Sequence, residues 1–133
     1  LATIDPANEA REIAETFASM SRTVDAYMED HFAELTQDQL DFFNGVIRQL
    51  DDTHDRLIAM AIQETLDALK DDLGEIAGIT RKAEQALKHL NTIAKITKIA
   101  AAVAELGADI TTADYGAIPS ALTDLAEALP GQA

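Results

Sequence analysis

Residues 80–106 hold the densest run of Ile and Ala in the chain and its only basic stretch. On a helix advancing about 100° per residue, Arg81, Lys88 and Lys95 recur every seven positions and form one stripe. Ala83, Ala86, Leu87, Leu90, Ile93, Ala94 and Thr97 fall on the opposite side. Past Lys98 the pattern changes. Ile99, Val103 and Leu106 project where the basic stripe had been, while Ala100, Ala101 and Ala104 keep the first face apolar. A helix apolar on both sides must be covered on both sides. The first half therefore needs cover on one face, and the second half needs an additional element on the other.

Charge says what kind of cover is at hand. The net charge is −14, yet residues 80–100 carry five bases (Arg81, Lys82, Lys88, Lys95, Lys98) against one acid, Glu84. The rest of the chain carries five bases against 23 acids. A basic helix lying among acidic ones is the expectation, with ion pairs that add specificity more than energy. The acidic balance argues against nucleic acid as a partner, because phosphate contacts need a basic footprint. With 133 residues, 47% of them hydrophobic, one domain spanning 1–133 has enough apolar surface for a core. The absence of Cys removes disulfides and thiolate metal sites and leaves the redox compartment open.

Along the chain, Asp5-Pro6 reads as a helix start, with Asp5 as N-cap and Pro6 at the first helical position. Ile13, Phe17, Met20, Val24, Tyr27 and His31 follow at heptad spacing, predicting a helix over about 6–33. Thr36 and Gln39 fit a capping box, and Leu35 with Leu40 fits its hydrophobic staple, so a second helix starts at Gln37. Its seam (Leu40, Phe43, Ile47, Leu50, His54, Leu57) slips through Ile58, Ile62 and Leu66 before resuming at Leu69. A continuous helix to about Asp72 is expected, with Asp51-Asp52-Thr53 the alternative break.

The next turn is placed at 74–80, with Gly74 ending one helix and Thr80 capping the next. Gly74 and Gly78 would form a small-residue notch on a helix, but glycine's low helix propensity favours a loop. Gly107 reads as a left-handed cap ending the central helix, and 108–118 as a loop. Pro119 opens a short helix to about Leu129, whose Ile118, Leu122, Leu125 and Leu129 would cover Ile99, Val103 and Leu106. Pro130-Gly131 closes the fold. The fold class is all-α: an antiparallel helical bundle of three long helices plus a short C-terminal helix.

Candidate chemistry is sparse. A metal site would draw on His54, His89 and Asp51 or Asp55, because His31 lies too far along its helix to join His54. The competing reading makes His31 and His54 amphipathic packers at seam positions. No Gly-x-Ser-x-Gly, phosphate-cradling Gly loop or Ca²⁺ loop is present. No catalytic, cofactor-binding or metal residue is therefore assigned, and no cofactor is expected. The start, Leu-Ala-Thr-Ile-Asp-Pro, lacks the basic region and apolar core of a signal peptide, and Lys95 and Lys98 interrupt the one run resembling a span. A cytoplasmic location is the expectation. The function expected is a non-enzymatic helical interaction module that binds a protein partner or itself. Two alternatives remain: a membrane-active protein releasing residues 93–106, from Ile93 to Leu106, onto lipid, and the His/carboxylate metal-binding bundle.

Overall fold

Asp5 opens the first helix as its sequence predicts, its side chain accepting from Ala7 N–H at 3.1 Å with Pro6 in the first turn. The structure, a computed structural model, describes residues 5–89 and 92–130. Leu90, placed above by periodicity, and Gly131, read with Pro130 as closing the fold, lie outside the described residues. Among the described residues the chain is all-helical, with α1 (Pro6–Asp30), α2 (Gln37–Gln63), α3 (Leu73–His89), α4 (Ile93–Thr111) and α5 (Ile118–Ala128). Short 3₁₀ turns at Phe32–Glu34 and Tyr115–Ala117 precede α2 and α5.

The α1 seam buries Ile13, Phe17, Met20 and Val24, and Tyr27 packs half-buried at its end. The helix stops at Asp30, three residues short of the expected boundary, where the 3₁₀ turn tightens the chain. The capping box then forms in full. Gln39 N–H donates to Thr36 Oγ1 at 3.2 Å, and the Gln39 side chain accepts from Thr36 N–H at 2.8 Å. Leu35 is buried beside it and Leu40 packs against the core. Helix α2 runs unbroken through Asp51-Asp52-Thr53.

Several further boundaries differ from the sequence reading. Helix α2 ends at Gln63, well before Asp72, because Glu64 takes the left-handed conformation (φ 57°, ψ 39°) and Thr65 N–H reaches back to the Met60 carbonyl at 3.0 Å. That is a Schellman end made without glycine. The expected turn at 74–80 is helix instead: the connection lies at 64–72, and Gly74, Gly78 and Thr80 sit inside α3. Thr80 caps nothing. It is buried and donates to the Ile76 carbonyl at 2.7 Å.

The predicted continuous helix over 81–106 is two helices, so the third long helix of the expected bundle does not exist as one piece. Thr92, in extended conformation (φ −90°, ψ 120°), starts α4 afresh. The change of face expected past Lys98 lies within α4, which buries the Ile96, Ile99, Val103, Leu106 and Ile110 side and leaves Ala94 and Ala101 exposed, so the helix is not covered all round.

Gly107 is not a cap. Helix α4 continues past it to Thr111, and Ala113 (φ 59°) supplies the left-handed end, with Asp114 N–H bonded to the Asp109 carbonyl at 2.9 Å. Gly107 serves a close crossing of α4 on α2. A Cβ there would collide with Thr53 Oγ1 and lie 3.6 Å from Phe17 Cε1. Gln49 spans the same crossing, its Nε2 donating to Thr111 Oγ1 at 3.2 Å.

Around α4 the core closes. Ile96, Ile99, Val103, Leu106 and Ile110 are all fully buried, and α4 packs against α2, α5 and α3. Ile118, Leu122, Leu125 and Leu129 of the C-terminal segment are buried with them, as the spacing predicts. Helix α1 packs on both α2 and α3.

Candidate functional site

Helix α3 has two faces with different fates. Leu73, Ile76, Ala77, Thr80, Ala83 and Leu87 recur at helical spacing and are buried. The adjoining flank carries Glu75, Gly78, Ile79, Lys82, Gln85 and Ala86 and borders the end of α5. There the surface opens into two hollows of about 310 and 420 Å³. The first is lined by Glu75, Gly78, Ile79 and Ala126, the second by Arg81, Gln85, Ala86 and Pro130. Lys82 and Leu129 line both, so the hollows form one groove along α3. Its lining is mostly apolar, with Glu75, Arg81 and Lys82 as the charged members. This groove is the candidate site.

Two features of α3 have no explanation within the fold. Glycine in a helix interior costs about 1 kcal/mol relative to alanine. At Gly107 a close crossing justifies that cost. At Gly74 and Gly78, as at Gly45 of α2, nothing does: all three are exposed, none has positive φ, and a side chain added at any of them would meet no neighbour within 4 Å. Lys82 makes no ion pair among the described residues. Its neighbour Arg81, which also lines the second hollow, reaches α1, its Nη2 3.6 Å from Glu12 Oε2. That exposed contact is the only ion pair between helices among the described residues, and such pairs contribute about 0–1 kcal/mol. The basic stretch is held among acidic helices by its apolar face rather than by charge.

The histidines singled out in the sequence are not brought together. His31 Nδ1–H donates to the Tyr27 carbonyl at 3.0 Å, and its ring stacks on Tyr27 with centroids 4.2 Å apart. His54 bonds its neighbour Asp55 at 2.9 Å, and His89 bonds the Gln85 carbonyl at 2.8 Å. Each is engaged by its own helix. Helix α2, which carries His54, packs on α1 and α4, whereas His89 ends α3. Among the described residues, no three His, Asp or Glu side chains converge where they could hold a metal ion.

A third hollow, of about 460 Å³, lies between α1 and α3. It mixes Arg22, Lys88 and His31 with Asp30 and Tyr27. Burial raises the Tyr27 hydroxyl above its usual value, and nearby Glu34 raises it further. Both helices end here, and helix C-termini carry partial negative charge that offsets the cations.

Phe32 and Ile62 are the exposed large hydrophobics, 63% and 69% accessible. They flank the two ends of α2, a helix of 27 residues and thus about 40 Å. They form no common patch. No helix among the described residues is long and apolar enough to cross a membrane.

Asp109 gives the acidic surface a measurable signature. Burial raises its carboxyl above the ordinary 3.8, and the neighbouring Asp114 charge raises it further. An acid with a raised folded value binds its proton more tightly in the folded state. Its stabilising contribution is complete below the ordinary value and is lost as pH rises through the raised one. Repulsion within a chain of net charge −14 acts in the same direction. The melting temperature is therefore expected to be higher in mild acid than at pH about 8, with Asp109→Asn flattening part of the slope. A melting temperature that climbs steadily from about pH 5 to 8 would contradict this. Compared with known proteins, the chain matches no family model, no curated protein and no solved structure.

Proposed function

We propose that the chain is a non-enzymatic helical docking module whose α3/α5 groove receives a helix from a protein partner or from another copy of itself. The observation carrying this reading is the flank of α3. Glu75, Gly78, Ile79, Lys82 and Ala86 lie at the spacing that lines a helix-receiving groove, and the exposed Gly78 has no role inside the monomer.

We infer an antiparallel, up-and-down arrangement behind it. Six residues join α1 to α2, too few to return along a 25-residue helix. Asp5 and Ala7 share a hollow with Glu64 and Leu66, from the far end of α2. Along the α2–α4 crossing, Gln49 meets Thr111 while Thr53 meets Gly107, a reversed order.

Release of α4 onto lipid is the weaker reading. It would strip Ile96, Ile99, Val103, Leu106 and Ile110 from the core. At about 1.5–3 kcal/mol per large side chain, that loss matches the whole stability of a typical domain.

Site-specific photo-cross-linking tests the docking reading. A photoreactive residue at Gln85, on the groove rim, is expected to join one defined helical segment of a protein chain, and Lys82→Glu should abolish the product. The same probe at exposed Gln37, at the start of α2, should give none. Equal, scattered products from both positions would remove the groove as a docking site.

A further inference from the structure

Resting on that reading of the groove, we propose that its occupant is α3 of a second copy, laid antiparallel about a two-fold axis between Gly78 and Ile79. A two-fold contact requires a surface that complements itself, so that residue i meets j and j meets i. The flank of α3 satisfies this in one register. With the axis between positions 78 and 79, Glu75 faces Lys82 of the second copy, and Lys82 faces its Glu75. Ile79, half-buried and lining the groove, meets Gly78 of the copy, where the missing side chain leaves room. A parallel register would instead set Glu75 on Glu75 and Lys82 on Lys82.

Charge favours this face over every other helix for a self-contact. Helix α3 carries three bases (Arg81, Lys82, Lys88) and two acids (Glu75, Glu84). Helices α1, α2 and α5 each carry an acidic excess, and α4 is balanced. Two chains of net charge −14 repel least where the only net-cationic helix meets itself. Gly78, which has no neighbour within 4 Å in its own chain, leaves room for the close approach of two α3 backbones, as the packed Gly107 admits α4 to α2.

Sedimentation velocity over a wide concentration range, on intact chains, is the test. The wild type is expected to form dimers. Lys82→Glu and Glu75→Lys, both at exposed positions, should each weaken dimerisation about tenfold or more by facing like charges across the axis. Mixed in equal amounts, the two variants should associate again, because each supplies the charges the other lacks. Gly78→Leu should remain a folded monomer, since no neighbour within its own chain opposes the added side chain. A wild type that stays monomeric throughout, or variants that dimerise unchanged, would overturn the second copy as occupant. Cross-links from Gln85 to a different protein would in that case leave the docking reading standing, and scattered cross-links would end both.

Discussion

Gly107→Ala is expected to destabilise the protein by about 2 kcal/mol, against the helix-propensity gain of about 1 kcal/mol that alanine normally brings. The added methyl would overlap Thr53 Oγ1, and Thr53 Cβ at 3.4 Å and Phe17 Cε1 at 3.6 Å limit retreat. Thr53 is fully buried and donates to the Gln49 carbonyl at 2.8 Å, while Gln49 Nε2 donates back to it at 3.3 Å. Moving Thr53 therefore disturbs the link from Gln49 to Thr111 across the α2–α4 crossing. For a chain of this size the change corresponds to a fall in melting temperature on the order of 5–10 °C.

The pairwise cause is separable. Thr53→Ala alone should cost about 1 kcal/mol for its hydrogen bonds, and adding Gly107→Ala in that background should cost nothing further. Thermal or urea unfolding of the four proteins in the cycle measures this. Strict additivity would mean that the Thr53 contact is not what glycine protects at 107.

Glycine is also where sequence and structure part most clearly. Read by propensity, Gly74 and Gly107 mark helix ends and Gly78 lies in a loop. In the fold all three are helical, and the left-handed terminations belong to Glu64 and Ala113. Nothing in a single glutamate or alanine announces a positive φ; the surrounding packing imposes it at a cost of about 1 kcal/mol or more. Devices that act within a few residues were legible: the Asp5 cap, the Thr36–Gln39 box, Pro119 in the first turn of α5, and the buried face of α5. The break between α3 and α4 was not legible: it falls before Thr92, whereas the change of apolar face read from periodicity lies past Lys98, inside α4.

The candidate site was half legible. Gly78 and the basic Arg81 and Lys82 stand close together in the sequence, although propensity placed that glycine in a loop rather than on a helix. Their joining into a groove depends on Ala126, Leu129 and Pro130, brought alongside α3 only by the tertiary fold. For the histidines, spacing along the chain suggested that His54 and His89 could lie level. Packing decided otherwise, since α2 finds its partners in α1 and α4.

The functional reading depends on α4 being interior to the protein's own bundle, which leaves the α3/α5 groove as the surface open to a partner. Val103 stands at the centre of the face that the sequence left uncovered, and it is 0% exposed. A carboxylate there has no partner in an apolar surround, a penalty of several kcal/mol against a typical domain stability of about 5–15 kcal/mol. Ala101, two residues away on the same helix, is exposed and controls for charge and helix propensity. The deciding measurement is calorimetric unfolding of Val103→Asp beside Ala101→Asp. Loss of the cooperative transition in the first, with a melting temperature within a few degrees of wild type in the second, is the result expected. A Val103→Asp protein that melts where the wild type does would contradict it, and would mean that this face of α4 is not closed by the chain itself.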